Sequence, residues 1–146
     1  MRRKITIIAI SCLLLLSGCS LISEVNSTVE YANDATEYIE TVQKFSNQLP
    51  TLAKDAVRDE AGRESLESEL MAMKEEIGKF NQIKPPTIAE DLHNQIMDSN
   101  KKFEEAIDLY LTDMENGIIR PLEETGILTT ITDISTLLEN IQQLVN

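Results

Sequence analysis

The chain has 146 residues, and its 25 acidic and 13 basic side chains give a formal net charge of −12 at pH 7. This acidic surplus argues against nucleic-acid binding, because a nucleic-acid site needs cationic side chains that neutralise phosphates. The length is sufficient for one domain with a substantial core.

The N-terminus has the layout of a targeting segment. Arg2-Arg3-Lys4 forms a basic start, and residues 5–16 form an apolar run. This run is too short to cross roughly 30 Å of hydrocarbon as a helix, but it has the length of a signal-peptide core. It leads into Leu16-Ser17-Gly18-Cys19, which resembles the lipobox of bacterial lipoproteins at every position. The alternative is a short transmembrane anchor followed by a chance cysteine.

The lipobox resemblance implies that diacylglycerol is attached to the Cys19 thiol and that signal peptide 1–18 is cleaved between Gly18 and Cys19. Residues 19–146 would then form an acidic domain anchored to the extracytoplasmic face of the cell membrane. The loss of three basic residues and no acid changes the net charge from −12 to about −15. Such a charge repels anionic headgroups, so we expect contact with the lipid bilayer through the acyl chains. Since Cys12 is removed with the signal peptide, the mature domain would have no free thiol for disulfides or catalysis.

Apolar residues at alternating three- and four-residue steps predict a first long helix. Its stripe contains Ile22, Val25, Val29, Ala32, Ala35, Tyr38, Val42, Phe45 and Leu49. We expect Ser20 or Ser23 as its N-cap and Pro50 at its end, with a short helical turn over residues 51–57. The helix would start within about four residues of Cys19, which leaves no flexible tether.

Three further stripes predict three further helices. The second stripe contains Leu66, Leu70, Met73, Ile77 and Phe80. The third contains Ala89, Leu92, Ile96, Phe103, Ala106, Tyr110 and Met114, and the fourth contains Leu128, Ile131, Ile134, Leu138, Ile141 and Val145. Pro85-Pro86 ends the second helix, Thr87 and Glu90 have the spacing of a capping box, and Gly117 is the expected C′ residue of the third helix. The fold class is therefore all-α, an antiparallel up-down bundle of three to four long helices.

Few residues in the sequence suggest a catalytic or metal-binding site. Glu90 and His93 form a Glu-x-x-His pair, but a di-iron bundle needs this pair twice and the chain has one histidine. We expect His93 at a solvated helix flank. The adjacent acids Glu75-Glu76, Glu104-Glu105 and Glu123-Glu124 point about 100° apart on a helix and are expected to be solvated rather than to share an ion. All aromatic residues except Tyr31 fall on the apolar stripes. We expect no catalytic residue, cofactor or metal site, and no enzymatic activity.

The segment from Cys19 to Asn26, the corner from Phe80 to Pro86 and the helical remainder resemble a family of small predicted lipoproteins of Gram-positive bacilli. The resemblance implies location and fold, and it supplies no catalytic residue. Two functions remain open at this point. The first is a non-catalytic protein-interaction or scaffolding module of the cell envelope. The second is a ligand- or cation-binding receptor with a pocket between helices, where the third stripe is interrupted near Ser99-Asn100 and a kink or loose packing is expected.

Overall fold

The computed structural model describes residues 18–143, and it describes side-chain environments from residue 26 to residue 141. The remainder of the predicted signal peptide, residues 1–17, lies outside this range, as does Val145. Within it the chain forms four long helices: α1 (Gly18–Arg58), α2 (Glu60–Asn81), α3 (Glu90–Glu115) and α4 (Ile127–Gln143). Short 3-10 turns at Thr87–Ala89 and Leu122–Glu124 precede α3 and α4.

Each helix packs against its neighbours in sequence, and α4 packs back against α1. Phe80, near the end of α2, stacks on Tyr38 in α1 with ring centroids 4.5 Å apart, which fits an antiparallel α1/α2 hairpin. The prediction of an all-α up-down bundle is therefore confirmed. None of the helices within residues 18–143 combines the length and apolar character that crossing a membrane requires.

Helix α1 is longer than its sequence suggests. It continues through Pro50 to Arg58 over 41 residues, about 62 Å of helix. The prediction that Pro50 ends it is wrong, because burial of Leu49 and Ala56 holds the following turns against the bundle at the cost of one backbone hydrogen bond. Ser20 and Ser23 lie inside α1, so neither is its N-cap. Cys19 itself is helical, and α1 continues from it without a break.

One residue joins α1 to α2. The side chain of Asp59 caps α2 by accepting a hydrogen bond from the backbone N–H of Gly62 at 2.8 Å. Gly62 itself is buried where the two helices meet, and a Cβ at this position would lie 2.2 Å from the backbone oxygen of Asp55. The hairpin thus depends on a residue without a side chain.

The apolar stripes of the four helices form one core. Every residue of the second stripe is buried, as are most residues of the first and fourth whose side chains are described. The side chains of Ile22 and Val25, like Val145, lie outside the described range. Val29 is an exception, because its side chain is 49% exposed. In α4 the helix begins with buried Ile127, and Leu128 is only half-buried. The first buried side chain described in α1 is Tyr31, which lies outside the predicted apolar stripe.

Helix α3 differs most from expectation. Its buried face consists of His93, Ile96, Asn100, Phe103, Ile107, Tyr110 and Asp113. Ala89 is buried as predicted, but three expected core residues are only half-buried: Leu92, Ala106 and Met114. Three polar residues lie on this buried face: His93, Asn100 and Asp113.

Of the predictions for the two ends of α3, one is wrong and one is confirmed. The capping box is wrong, because residues 87–89 form a 3-10 turn and no side chain caps α3. Gly117 is confirmed as the C′ residue. It has a φ of +77°, and the N–H groups of Gly117 and Ile118 donate to the carbonyls of Met114 and Asp113. These two bonds form a Schellman motif.

Candidate functional site

The predicted lipid-acceptor residue lies at the start of α1. Gly18 and Cys19 are the first two residues of that helix, whereas Leu16 and Ser17 lie outside the described residues. Twelve residues separate Cys19 from Tyr31, the first buried side chain described, which corresponds to about 18 Å of helix. The first described contact of α1 with the bundle core therefore lies about 18 Å along the helix from Cys19.

His93 lies in the core, so the prediction of a solvated flank position is wrong. Its side chain is 3% exposed, and its ring packs against Tyr31 and Phe80 with centroids 5.6 Å and 5.3 Å away. The Tyr31 hydroxyl lies 3.0 Å from Nδ1 of His93. Burial lowers the pKa of His93 from its ordinary 6.5, which favours the neutral ring. In the tautomer protonated on Nε2, Nδ1 accepts the hydroxyl hydrogen.

A second buried polar group fills the place where the third apolar stripe is interrupted. Asn100 is fully buried, and its Oδ1 accepts a hydrogen bond from the Tyr38 hydroxyl at 2.7 Å. Its Nδ2 donates to Oδ1 of Asn81 at 2.8 Å. These bonds join α1, α3 and α2. The expected kink or loose packing near Asn100 is wrong, because α3 is continuous and the side chain is satisfied on both ends.

A third polar contact lies at the far end of α3. Asp113 is 7% exposed and forms an ion pair with Arg120, which follows the turn at Gly117. The Tyr110 hydroxyl donates to the backbone oxygen of Arg120 at 3.3 Å. These contacts fix the connection between α3 and α4. They give Asp113 a structural partner that sequence spacing did not indicate.

The adjacent acids behave differently from one pair to the next. Glu75 and Glu76 both reach Nζ of Lys79, at 3.0 Å and 2.7 Å. These two neighbours therefore do converge on one cation, an ammonium three and four residues further along α2. The hydrogen bonds that Lys79 donates to Glu76 and Glu75 raise the pKa of Lys79.

Other carboxylates are dispersed over the surface. Glu105, Glu123 and Glu124 are exposed, and Glu104 is half-buried. Among the residues with described side chains, no three acidic, histidine or cysteine side chains are grouped closely enough to hold a metal ion.

Open grooves lie between several of the described helices. A groove of about 250 Å³ runs between α1 and α2, with Asp34, Tyr38, Glu76 and Lys79 among its lining residues. A second groove, of about 480 Å³, lies between α2 and α3. Its lining residues are Glu60, Arg63, Glu64, Glu67, Met71, Leu111, Met114 and Glu115. His93 lines neither groove.

Comparison with known proteins places the chain in a family. The model of a family described as a family of unknown function, DUF6376, matches residues 31–144. The chain belongs to this family. The match begins at Tyr31, which is also the first residue of α1 whose described side chain is buried. The family has no assigned function, so membership adds no catalytic residue.

A full-length relative bears on the class of protein. The chain is 28% identical over 146 residues to the uncharacterized lipoprotein YybP of Bacillus subtilis (strain 168), and the alignment covers 99% of each chain. The resemblance to small lipoproteins of Gram-positive bacilli is therefore confirmed, and this relative supports an extracytoplasmic lipoprotein. No solved structure matches the chain.

Proposed function

We propose that the chain is a lipid-anchored lipoprotein on the extracytoplasmic face of the cell membrane, attached through Cys19 after cleavage of residues 1–18. The lipobox spacing and the full-length similarity to a lipoprotein support this proposal. The lipid bilayer is then the first partner, bound by acyl chains rather than by the acidic surface. Two long chains give a stable anchor, because each buried CH₂ contributes about 0.8 kcal/mol.

Processing at Cys19 is tested by replacing the thiol. We expect Cys19→Ala to abolish labelling of the protein by a fatty-acid analogue and to leave an uncleaved or shed precursor. Cys12→Ala is the matched control, because it removes a thiol from the predicted signal peptide and should leave labelling intact. Labelling that persists in Cys19→Ala would refute the anchor.

We further propose that the bundle acts as a non-catalytic protein-interaction or scaffolding module of the envelope. The observation that supports this is the packing of His93 between Tyr31 and Phe80. A receptor pocket built on His93 would need the space that these rings occupy. Asn100 fills the second position where such a pocket was expected. The surface of the bundle, rather than its interior, is then the part that contacts a partner.

Crosslinking in intact cells, followed by mass spectrometry, tests this function. We expect the anchored protein to form reproducible crosslinks from exposed bundle residues to one or a few envelope proteins. The matched control is the shed fraction of the same chain carrying Cys19→Ala, which should lose these crosslinks because it is no longer attached to the membrane. If the anchored chain gives no more crosslinks than this control, the interaction function is wrong.

A further inference from the structure

The groove between α2 and α3 has an apolar floor. Met71 is 54% exposed, and Leu111 and Met114 are half-buried at the edge of the core. Methionine side chains adapt their shape to a partner, and they are common at protein-binding surfaces. The groove follows α2 from Glu60 to Met71, about 16 Å, which is the length of three helical turns.

Carboxylates surround this floor. The lining contains four glutamates and one arginine, namely Glu60, Glu64, Glu67, Glu115 and Arg63. Among the described side chains, none of these four carboxylates forms an ion pair with Lys or Arg. At one end of the groove, Lys74 is already paired with Asp108 across α2 and α3. The net charge of the lining is therefore negative, since four glutamates outnumber one arginine.

The groove also lies far from the anchor. Arg58, at the end of α1 beside the start of α2, is 39 residues from Cys19, or about 58 Å of helical rise. An anionic lipid surface is both distant and repelled by the glutamates. A second copy of the chain would bring the same carboxylates together, which costs free energy.

We propose that this groove binds a basic amphipathic helix of an envelope protein, and this inference rests on the proposed interaction function. Apolar side chains spaced three and four residues apart contact Met71, Leu111 and Met114, as in other complexes of a helix in a groove. Lys or Arg residues flanking them pair with the glutamates at the rim. Charge complementarity then speeds association and selects basic partners over acidic ones.

The test uses the lipidated protein in phosphatidylcholine nanodiscs, with empty discs as the blank. The probe is a fluorescent helical peptide of about 18 residues, with leucine at helical spacing and lysine elsewhere. The same peptide with glutamate in place of lysine is the control ligand. We expect fluorescence anisotropy to show saturable binding of the lysine peptide and none of the glutamate peptide.

Four variants locate the binding site. Reversing two rim charges with Glu64→Lys and Glu67→Lys should raise Kd about tenfold, since it removes two attractions and adds two repulsions. The matched control is Asp133→Lys with Glu139→Lys, which reverses two exposed charges on α4 and should change Kd less than about twofold. Met71→Ser should raise Kd about threefold, whereas Met97→Ser, at another exposed methionine, should not.

The possible results distinguish a failure of the groove proposal from a failure of the proposed interaction function. If the reversal on α4 weakens binding as much as the reversal on α2, attraction is diffuse and the groove proposal is wrong. Failure of the lysine peptide to bind also overturns it. In either case the interaction function stands if crosslinking in cells captures a partner through another face. Circular dichroism melts of all variants establish that they remain folded.

Discussion

At the scale of single residues, the structure differs from the sequence-based expectation where polar side chains enter the core. His93 and Asn100 are seven residues apart on α3, and their partners Tyr31 and Tyr38 are seven apart on α1. Each tyrosine hydroxyl satisfies a side chain 62 residues away. Buried polar groups persist only when they are hydrogen-bonded, so these pairs fix the register of α1 against α3.

The hydrogen-bond network of Asn100 should contribute more to the free energy of unfolding than an exposed asparagine on the same helix does. We expect Asn100→Ala to lower the free energy of unfolding by about 1–3 kcal/mol, because the buried Tyr38 hydroxyl loses its acceptor. Tyr38→Phe should cost about 1 kcal/mol. The double variant should cost less than the sum of the two, as expected for residues in contact. Urea unfolding of residues 20–146 measures all three.

Asn94→Ala is the control for this network, because Asn94 is exposed on α3. It should change the free energy of unfolding by no more than about 0.5 kcal/mol. Equal losses for Asn100→Ala and Asn94→Ala would contradict the network.

His93 should make stability depend on pH in one direction. Burial lowers the pKa of His93 in the folded protein below 6.5, so its contribution is complete above pH 6.5. That contribution decreases as the pH falls from about 6.5 through the folded pKa, because the unfolded chain then binds a proton that the folded chain resists. Tyr31 does not titrate here, because burial raises its pKa.

His93→Gln keeps a polar side chain and removes the titration. We expect the stability difference between the unmodified protein and this variant to shrink on acidification, by at most about 1.4 kcal/mol per pH unit. Taking the difference cancels the titration of the many carboxylates. A difference that stays constant from pH 7.5 to pH 5 would show that His93 has an unshifted pKa.

At the scale of the helices, prediction from sequence succeeded where the apolar spacing was regular and no polar residue intruded. All five residues of the second stripe are buried, because their spacing keeps them on one side of α2. On α3 the spacing of the buried face is equally regular once His93 and Asn100 are included, so the signal was present but a purely apolar pattern missed it. Pro50 shows the opposite limit, since its local preference to end a helix yields to the packing of Leu49 and Ala56 against the bundle.

Two glycines on α2 should respond in opposite directions to the same substitution. Gly62→Ala places a Cβ 2.2 Å from the backbone oxygen of Asp55, so the α1/α2 hairpin must open and the protein should lose at least about 2 kcal/mol of stability. A Cβ at Gly78 meets nothing within 4 Å. Gly78→Ala should therefore stabilise the protein by about 0.5–1 kcal/mol through helix propensity.

Thermal melts of both glycine variants distinguish close packing from simple propensity. Gly62→Ser gives a further comparison, since it adds a larger side chain at the same contact and should cost at least as much as Gly62→Ala. If Gly62→Ala raises the melting temperature as Gly78→Ala does, α1 and α2 do not approach as closely as described.

At the scale of the whole molecule, repulsion between the many negative charges destabilises the folded bundle. The mature chain would carry about −15, and α2 places Glu60, Glu64 and Glu67 at three- and four-residue spacing on one side. Like charges at this spacing each cost about 0.2–0.5 kcal/mol on a helix. The apolar core supplies the stabilisation that holds these carboxylates together, and composition alone could predict the charge imbalance but not that these carboxylates line one groove.

Salt should therefore stabilise the bundle. Raising NaCl from about 0.02 M to about 0.5 M shortens the Debye length severalfold, and we expect it to increase the free energy of unfolding by on the order of 1 kcal/mol. Replacing three exposed acids with Glu60→Gln, Glu64→Gln and Glu67→Gln should raise stability at low salt and reduce this dependence. KCl should act as NaCl does, because screening depends on ionic strength and not on the identity of the ion.

Tens of micromolar Zn²⁺, Mn²⁺ or Ca²⁺ at physiological salt should leave the melting temperature unchanged. A rise with one of these metals that disappears in the triple variant would indicate a specific cation site and contradict screening as the cause.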